Sequence, residues 1–140
     1  MDHISLKMPV NIKAKLTEKL KAKMIEELQN NIQRAELEVQ QFNIQEKRVI
    51  EENHPDESTM EGVQMLRSIQ QHFGTERQKR LDFCTQASAR IEELQKLAIG
   101  AEILQGTVER QVEVHVGDNM RELMNVEVLV EDDKIIAIRS

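Results

Sequence analysis

Lys7, Lys13, Lys15, Lys19, Lys21 and Lys23 crowd into one short stretch in which Glu18 is the only opposing charge. Ammonium groups at such density can neutralise phosphates. Anion or RNA contact through Lys13, Lys15, Lys19, Lys21 and Lys23 is therefore the first chemistry to weigh. Three features count against it. Residues 101–140 hold nine acidic and four basic side chains, so a lysine-bearing strand paired with that segment would find its counter-charges inside the fold. No aromatic residue interleaves with the lysines to stack on bases. The whole chain has a net charge of −6, whereas a dedicated polyanion binder needs a net basic face. Internal pairing is the expectation for these lysines, and an RNA- or ribosome-associated factor is the alternative.

Other reactive types offer less. His3, His54, His72 and His115 are scattered along the chain, and neither HExxH nor paired-cysteine spacing occurs, so the sequence proposes no metal site. Cys84 stands alone, which excludes an intramolecular disulfide. Its place on an apolar helix seam reads as a small buried side chain. Glycine-rich phosphate loops and Gly-x-Ser-x-Gly are missing, and most carboxylates share helix faces with Lys and Arg, as solvated faces do. The expectation is a non-enzymatic chain with no cofactor.

The elements that would carry these residues can be read from their periods. Val10, Ile12, Ala14 and Leu16 alternate with Asn11, Lys13 and Lys15 over Pro9–Leu16, predicting a half-buried strand. At Thr17 the period changes. Ile25, Leu28, Ile32, Ala35, Val39, Phe42 and Val49 recur at steps of three and four, as a coiled-coil seam does. This first helix, 17–53, is capped by Thr17 and stopped before Pro55. Ser58 and Glu61 match a capping box, and Val63, Leu66, Phe73, Cys84, Ala87, Ile91, Leu94 and Ala98 carry a second seam over 58–99. Gln70, Arg77 and Arg80 turn its middle polar, Gly74 marks a place for a kink, and Gly100 is placed to end it. Beyond it, Val108, Val112, Val114 and Val116 alternate with polar residues up to Gly117-Asp118. Asn119–Asn125 reads as a short helix or turn. Val126–Val130 and Ile135–Ile138 flank Asp132-Asp133 as a tight hairpin without the usual glycine.

These elements add up to an α+β chain: a long antiparallel coiled-coil helical hairpin over 17–99, with a small antiparallel β-domain built from both ends, 1–16 and 101–140. The ends are expected to meet because an antiparallel hairpin returns Gly100 to the neighbourhood of Thr17. Aromatic residues are 2% and charged residues 31% of the chain, so little bulk is buried per residue and self-association would help stability. Leu37 and Ile44 lie opposite the inner seam of the first helix, while Ile69, Phe83 and Leu97 widen the face of the second. A two-helix hairpin cannot cover both sides, so Leu37 and Ile44 are the candidate oligomer interface. Neither a signal peptide nor a membrane span is legible, and a cytoplasmic location is the expectation.

Leu16-Thr17-Glu18 after the opening strand, the Gln/Glu/Lys-rich helices, and Gly106-Thr107-Val108-Glu109 followed by Val112–Asp118 together resemble the YlqD family of uncharacterised bacterial proteins. The resemblance covers nearly the whole chain. It implies no activity, substrate or catalytic residue. Prefoldin-like chaperones are an architectural analogy, although there the β elements lie between the helices. The function expected from all of this is a non-enzymatic interaction or scaffold protein that forms a homo-oligomer through its helices and meets an unknown protein partner. The RNA-associated factor and the chaperone are the alternatives.

Overall fold

A computed structural model describes all of residues 1–140. In chain order the elements are β1 (His3–Lys15), α1 (Glu18–Asn53), α2 (Met60–Lys96), β2 (Glu102–His115), α3 (Met120–Met124), β3 (Val126–Glu131) and β4 (Lys134–Arg139). Contacts divide the chain into two compact units, one of Met1–Lys23 with Leu97–Ser140 and one of Met24–Lys96. The fold is α+β, with a helical hairpin and a sheet built from both chain ends.

The first unit is a four-stranded sheet in the order β2-β1-β3-β4. β1 is central, and it is longer than expected, since Ile4, Leu6 and Met8 continue the alternation of Val10, Ile12 and Ala14 back to His3. Pro9 stands just before the β3 ladder begins at Val10, where β2 is the neighbouring strand. β2 pairs antiparallel to β1 from His3↔His115 to Lys15↔Glu102. It starts six residues before Val108, because a register shift between Gly106 and Leu104 puts Ile103 and Val108 on the same face although their parity differs.

The sheet is mixed, where a wholly antiparallel one was expected: β1 and β3 are parallel from Val10↔Val126 to Ala14↔Val130. The cause is topological. β2 runs opposite to β1, and the segment after it reverses direction and crosses to the far edge of β1, so β3 must run with β1. β3 and β4 form an antiparallel hairpin. Asp132 and Asp133 take its two tip positions with φ of 45° and 69°, the left-handed pair that a two-residue primed turn requires.

Paired residues share a face. One face carries Met8, Val10, Ala14 and Val126, all buried. α3 crosses near β1, and Asn119 caps it, accepting from the Arg121 and Glu122 amides at 3.0 and 3.4 Å. Where β1 ends, Leu16 is fully buried. Its amide donates to Ala101 and its carbonyl accepts from Gly100, both at 2.7 Å. Gly100, at φ 95°, lies in a turn four residues beyond the end of α2, which stops at Lys96 and not Ile99.

In the second unit α1 and α2 are antiparallel, as contacts between Ile32 and Cys84, Glu38 and Arg80, and Glu46 and Arg77 show. Ala35, Phe73, Ala87 and Leu94 are the buried apolar residues. Two expectations at the helix turn are corrected. Ser58 and Glu61 form no capping box, because the Asp56 carboxylate takes both the Ser58 amide and its hydroxyl, at 2.9 and 2.6 Å. Thr59 is the cap instead, accepting from the Gly62 amide at 3.0 Å. Val63, assigned to the seam, is exposed, and its neighbour Gly62 is buried. A Cβ on Gly62 would lie 1.8 Å from the Asp56 carbonyl oxygen, so the turn closes only over glycine. α2 runs unbroken through Gly74.

Candidate interaction surfaces

The lysine stretch is distributed between the sheet and the first turns of α1. Lys13 Nζ lies 2.7 Å from Glu127 Oε1. Arg139 joins Glu127 at 3.1 Å and Glu102 at 2.9 Å. Lys13, Glu127, Arg139 and Glu102 come from β1, β3, β4 and β2 respectively, so one charged row crosses the whole sheet on the face opposite Val10. Arg139, helped by Lys13 and Lys15, holds the Glu102 carboxyl below the usual glutamate range. Glu102, and then Glu127, hold the Arg139 guanidinium above its ordinary value.

Lys21 donates to the Leu97 carbonyl at 3.0 Å. Lys19 and Lys23 line a hollow of about 90 Å³ with Leu20, Ala14, Gln105, Val130, Asp132 and Asp133, and Thr17 caps α1 while donating to Asp132 at 2.8 Å. Asp132 and Asp133 thus share this hollow with Lys19 and Lys23. Lys15 pairs in register with Glu102. The structure therefore brings Lys13 and Lys15 into the sheet and Lys19, Lys21 and Lys23 onto α1.

The helical unit has a polar centre. Arg80 donates to Glu38 at 2.9 Å and to Glu76 at 2.7 Å, and its guanidinium lies 4.9 Å from the centroid of Phe42. Phe42 in turn packs 6.3 Å from Phe73, and Arg77 pairs with Glu46. Arg77 and Arg80 of the second seam thus make inter-helix ion pairs, whereas Gln70 is exposed. Cys84 is half-buried where full burial was expected, and desolvation, with the charge of Glu36, pushes its thiol up. It is therefore a poor nucleophile. An open hollow of about 340 Å³ is lined by Asn31, Arg34, Ala35, Glu38, Lys79, Arg80 and Phe83. Within it Arg80 is bound to Glu38.

Apolar exposure is extensive. Leu37 and Ile44 are 55% and 60% exposed on the outer side of α1. Phe83, expected to widen the inner face of α2, is 42% exposed. On the sheet, Ile4, Val108, Ile135 and Ile138 are exposed beside the buried residues of the apolar face. This sheet patch was missed in the sequence because the bulges in β2 and β4 hide which residues share a face.

The structure also joins two histidines that sequence spacing leaves apart. His3 and His115 are register partners, with rings stacked at 5.7 Å. No group of three or more His, Cys, Asp or Glu side chains is placed to hold a metal ion. No helix is long and apolar enough to cross a membrane.

Among solved structures, the fold is similar to a crystal structure of a protein of unknown function from Synechococcus sp. WH 8102, with a TM-score of 0.84 and 22% identity over 99% of this chain and 95% of that one. No curated protein matches. The family model described as YlqD protein matches residues 4–139. With nearly the whole opening strand, the hairpin and the tail strands inside that match, this chain belongs to the YlqD family.

Proposed function

We propose that the protein is a non-enzymatic interaction module that works as a homo-oligomer, with Leu37 and Ile44 of α1 in the interface between copies. One observation carries this: ten hydrophobic side chains are buried, seven of them Leu, Val, Met or Phe, whereas eighteen large ones are exposed. A monomer that leaves more large apolar side chains in water than it removes gains stability whenever those surfaces meet. Leu37 and Ile44 are seven residues apart, two turns along one face, which suits a partner helix. The RNA-binding alternative draws no support from the lysines, whose charges are interspersed with Glu127, Asp132 and Asp133.

The test is Leu37→Lys with Ile44→Lys in the full chain, followed by sedimentation velocity. Loss of the larger species with helical circular dichroism unchanged supports the helix interface. Matched changes at Ile135 and Ile138 serve as the comparison. If those alone dissociate the protein, the interface is on the sheet and the helix assignment fails.

A further inference from the structure

We infer that the outer edge of β2 is a second self-association surface, on which β2 of another copy pairs antiparallel about a twofold axis at Val112. β2 ends the strand order, with β1 as its one neighbour in the sheet, and most of its residues are exposed. Its backbone polarity can be read from its last turn. The Val116 amide donates to the Asp2 carbonyl at 2.9 Å, so the even-numbered residues from Val116 back to Val108 direct their backbone groups at β1 and the odd-numbered ones direct theirs outward. His115 shows this. Its amide donates to Asp118 Oδ2 at 2.8 Å, and its carbonyl accepts from the Asp118 amide at 3.1 Å. The turn thereby closes off that end of the edge. Glu109, Gln111 and Glu113 keep outward N–H and C=O groups, which is a template for another strand.

The occupant follows from the side chains. Two copies related by a twofold axis keep both sheet faces continuous only when residues of like parity pair, so the axis passes through one residue. An axis at Glu109 or Glu113 sets that glutamate opposite itself, and one at Arg110 does the same to arginine. At Gln111, Glu109 would face Glu113. Like charges directly opposite are destabilising. An axis at Val108 runs into the bulge at Gln105, and one at Val114 would need the His115 backbone groups that Asp118 already holds.

Val112 is the position left, and there the pairs are complementary. Val112 meets Val112 of the second copy, and Gln111 meets Glu113, each pair exchanging outward N–H and C=O groups. Glu109 faces His115, acid against a ring that can donate to it. On the other face Val108, 51% exposed, meets Val116, 84% exposed, continuing the apolar side of Met8 and Val10. This contact lies on the sheet and stands apart from the one proposed at Leu37 and Ile44, so a chain with both has two independent ways to meet its copies.

Register-specific cross-linking tests it in the full chain with Cys84→Ala. Val112→Cys should give a disulfide dimer under copper phenanthroline, because facing residues of a non-hydrogen-bonded pair have Cα atoms about 4.5 Å apart, within disulfide reach. Arg110→Cys and Val108→Cys, which face other residues, should not. The same dimer should form when Leu37→Lys and Ile44→Lys are added, which separates this contact from the helix contact. Hydrogen exchange is the second readout: raising the concentration should slow the Gln111 and Glu113 amides at least about tenfold. Gln111→Pro, which lacks only an outward N–H and so spares the β1 ladder, should abolish that slowing. No cross-link in Val112→Cys, an equal one in Arg110→Cys, loss of the cross-link with the helix changes, or Gln111 and Glu113 amides that exchange equally fast at every concentration would overturn the assignment.

Discussion

Deleting residues 1–16 removes the strand on which the sheet is built, and the outcome can be worked from the order β2-β1-β3-β4. Without β1, β2 has no partner, and β3 and β4 are left as one short hairpin, a unit at best marginally stable in water. The deletion discards Met8, Val10 and Leu16, which are 4%, 5% and 0% exposed. At about 1.5–3 kcal/mol for each buried side chain, their loss costs about 5–9 kcal/mol. Both ladders of β1 go with them. That sum rivals the whole stability of an ordinary domain, about 5–15 kcal/mol. The truncated chain should therefore lose every tail strand while residues 24–96 keep their helical circular dichroism. It should also aggregate through the unfolded apolar segments of the tail, such as Val126–Val130. Hydrogen exchange followed by mass spectrometry is the assay: peptides covering 102–115 and 126–139 should exchange at the rate of unfolded chain. A soluble truncated protein whose Val112, Val114 and Val128 amides stay as protected as in the full chain would refute the central role of β1.

Two glycines in α2 should respond oppositely to alanine. Gly62→Ala, whose Cβ would strike the Asp56 carbonyl, should cost about 1–3 kcal/mol or more. Gly74→Ala enters open space, with Arg77 Nη2 at 3.9 Å its nearest neighbour, and should stabilise by about 0.5–1 kcal/mol; urea denaturation by circular dichroism reads both. Asp133→Gly should stabilise the β3–β4 turn by about 1 kcal/mol, because glycine takes the φ of 69° without the side-chain penalty, and slower exchange of the strand amides would show it. For acid, the sign follows from Glu102, whose carboxyl is held low by Arg139 in the folded chain. Its contribution is present above the unfolded glutamate range and lost as pH falls through the folded value. Glu102→Gln should therefore flatten the acid limb of sheet stability measured by hydrogen exchange, and an unchanged limb would show that the pair contributes nothing.

How far the sequence revealed this fold differs from residue to residue. The helices were legible because steps of three and four persist over many turns, and Pro55 and Thr17 punctuate them. The tail hairpin was legible from alternation alone, even with Asp132 and Asp133 in place of Asn-Gly. The start of β2 was not, since the bulge near Gln105 breaks the period of two between Ile103 and Val108. Nor was the parallel pairing of β1 with β3, which depends on where a crossing segment lands and leaves no mark in local pattern. Among site residues, the charge balance of the tail already pointed to internal partners for Lys13, and the opposite-side position of Leu37 and Ile44 followed from helical period. The meeting of His3 with His115 was invisible, because a register between segments so far apart is set by the whole sheet.

Further copies of the chain should cover the exposed apolar surface. Multi-angle light scattering of the untruncated protein, run from low to high micromolar concentration, tests it most directly. The expected mass is at least twice the 16.2 kDa of one chain, falling toward one chain on dilution. A constant single-chain mass at every concentration would contradict it.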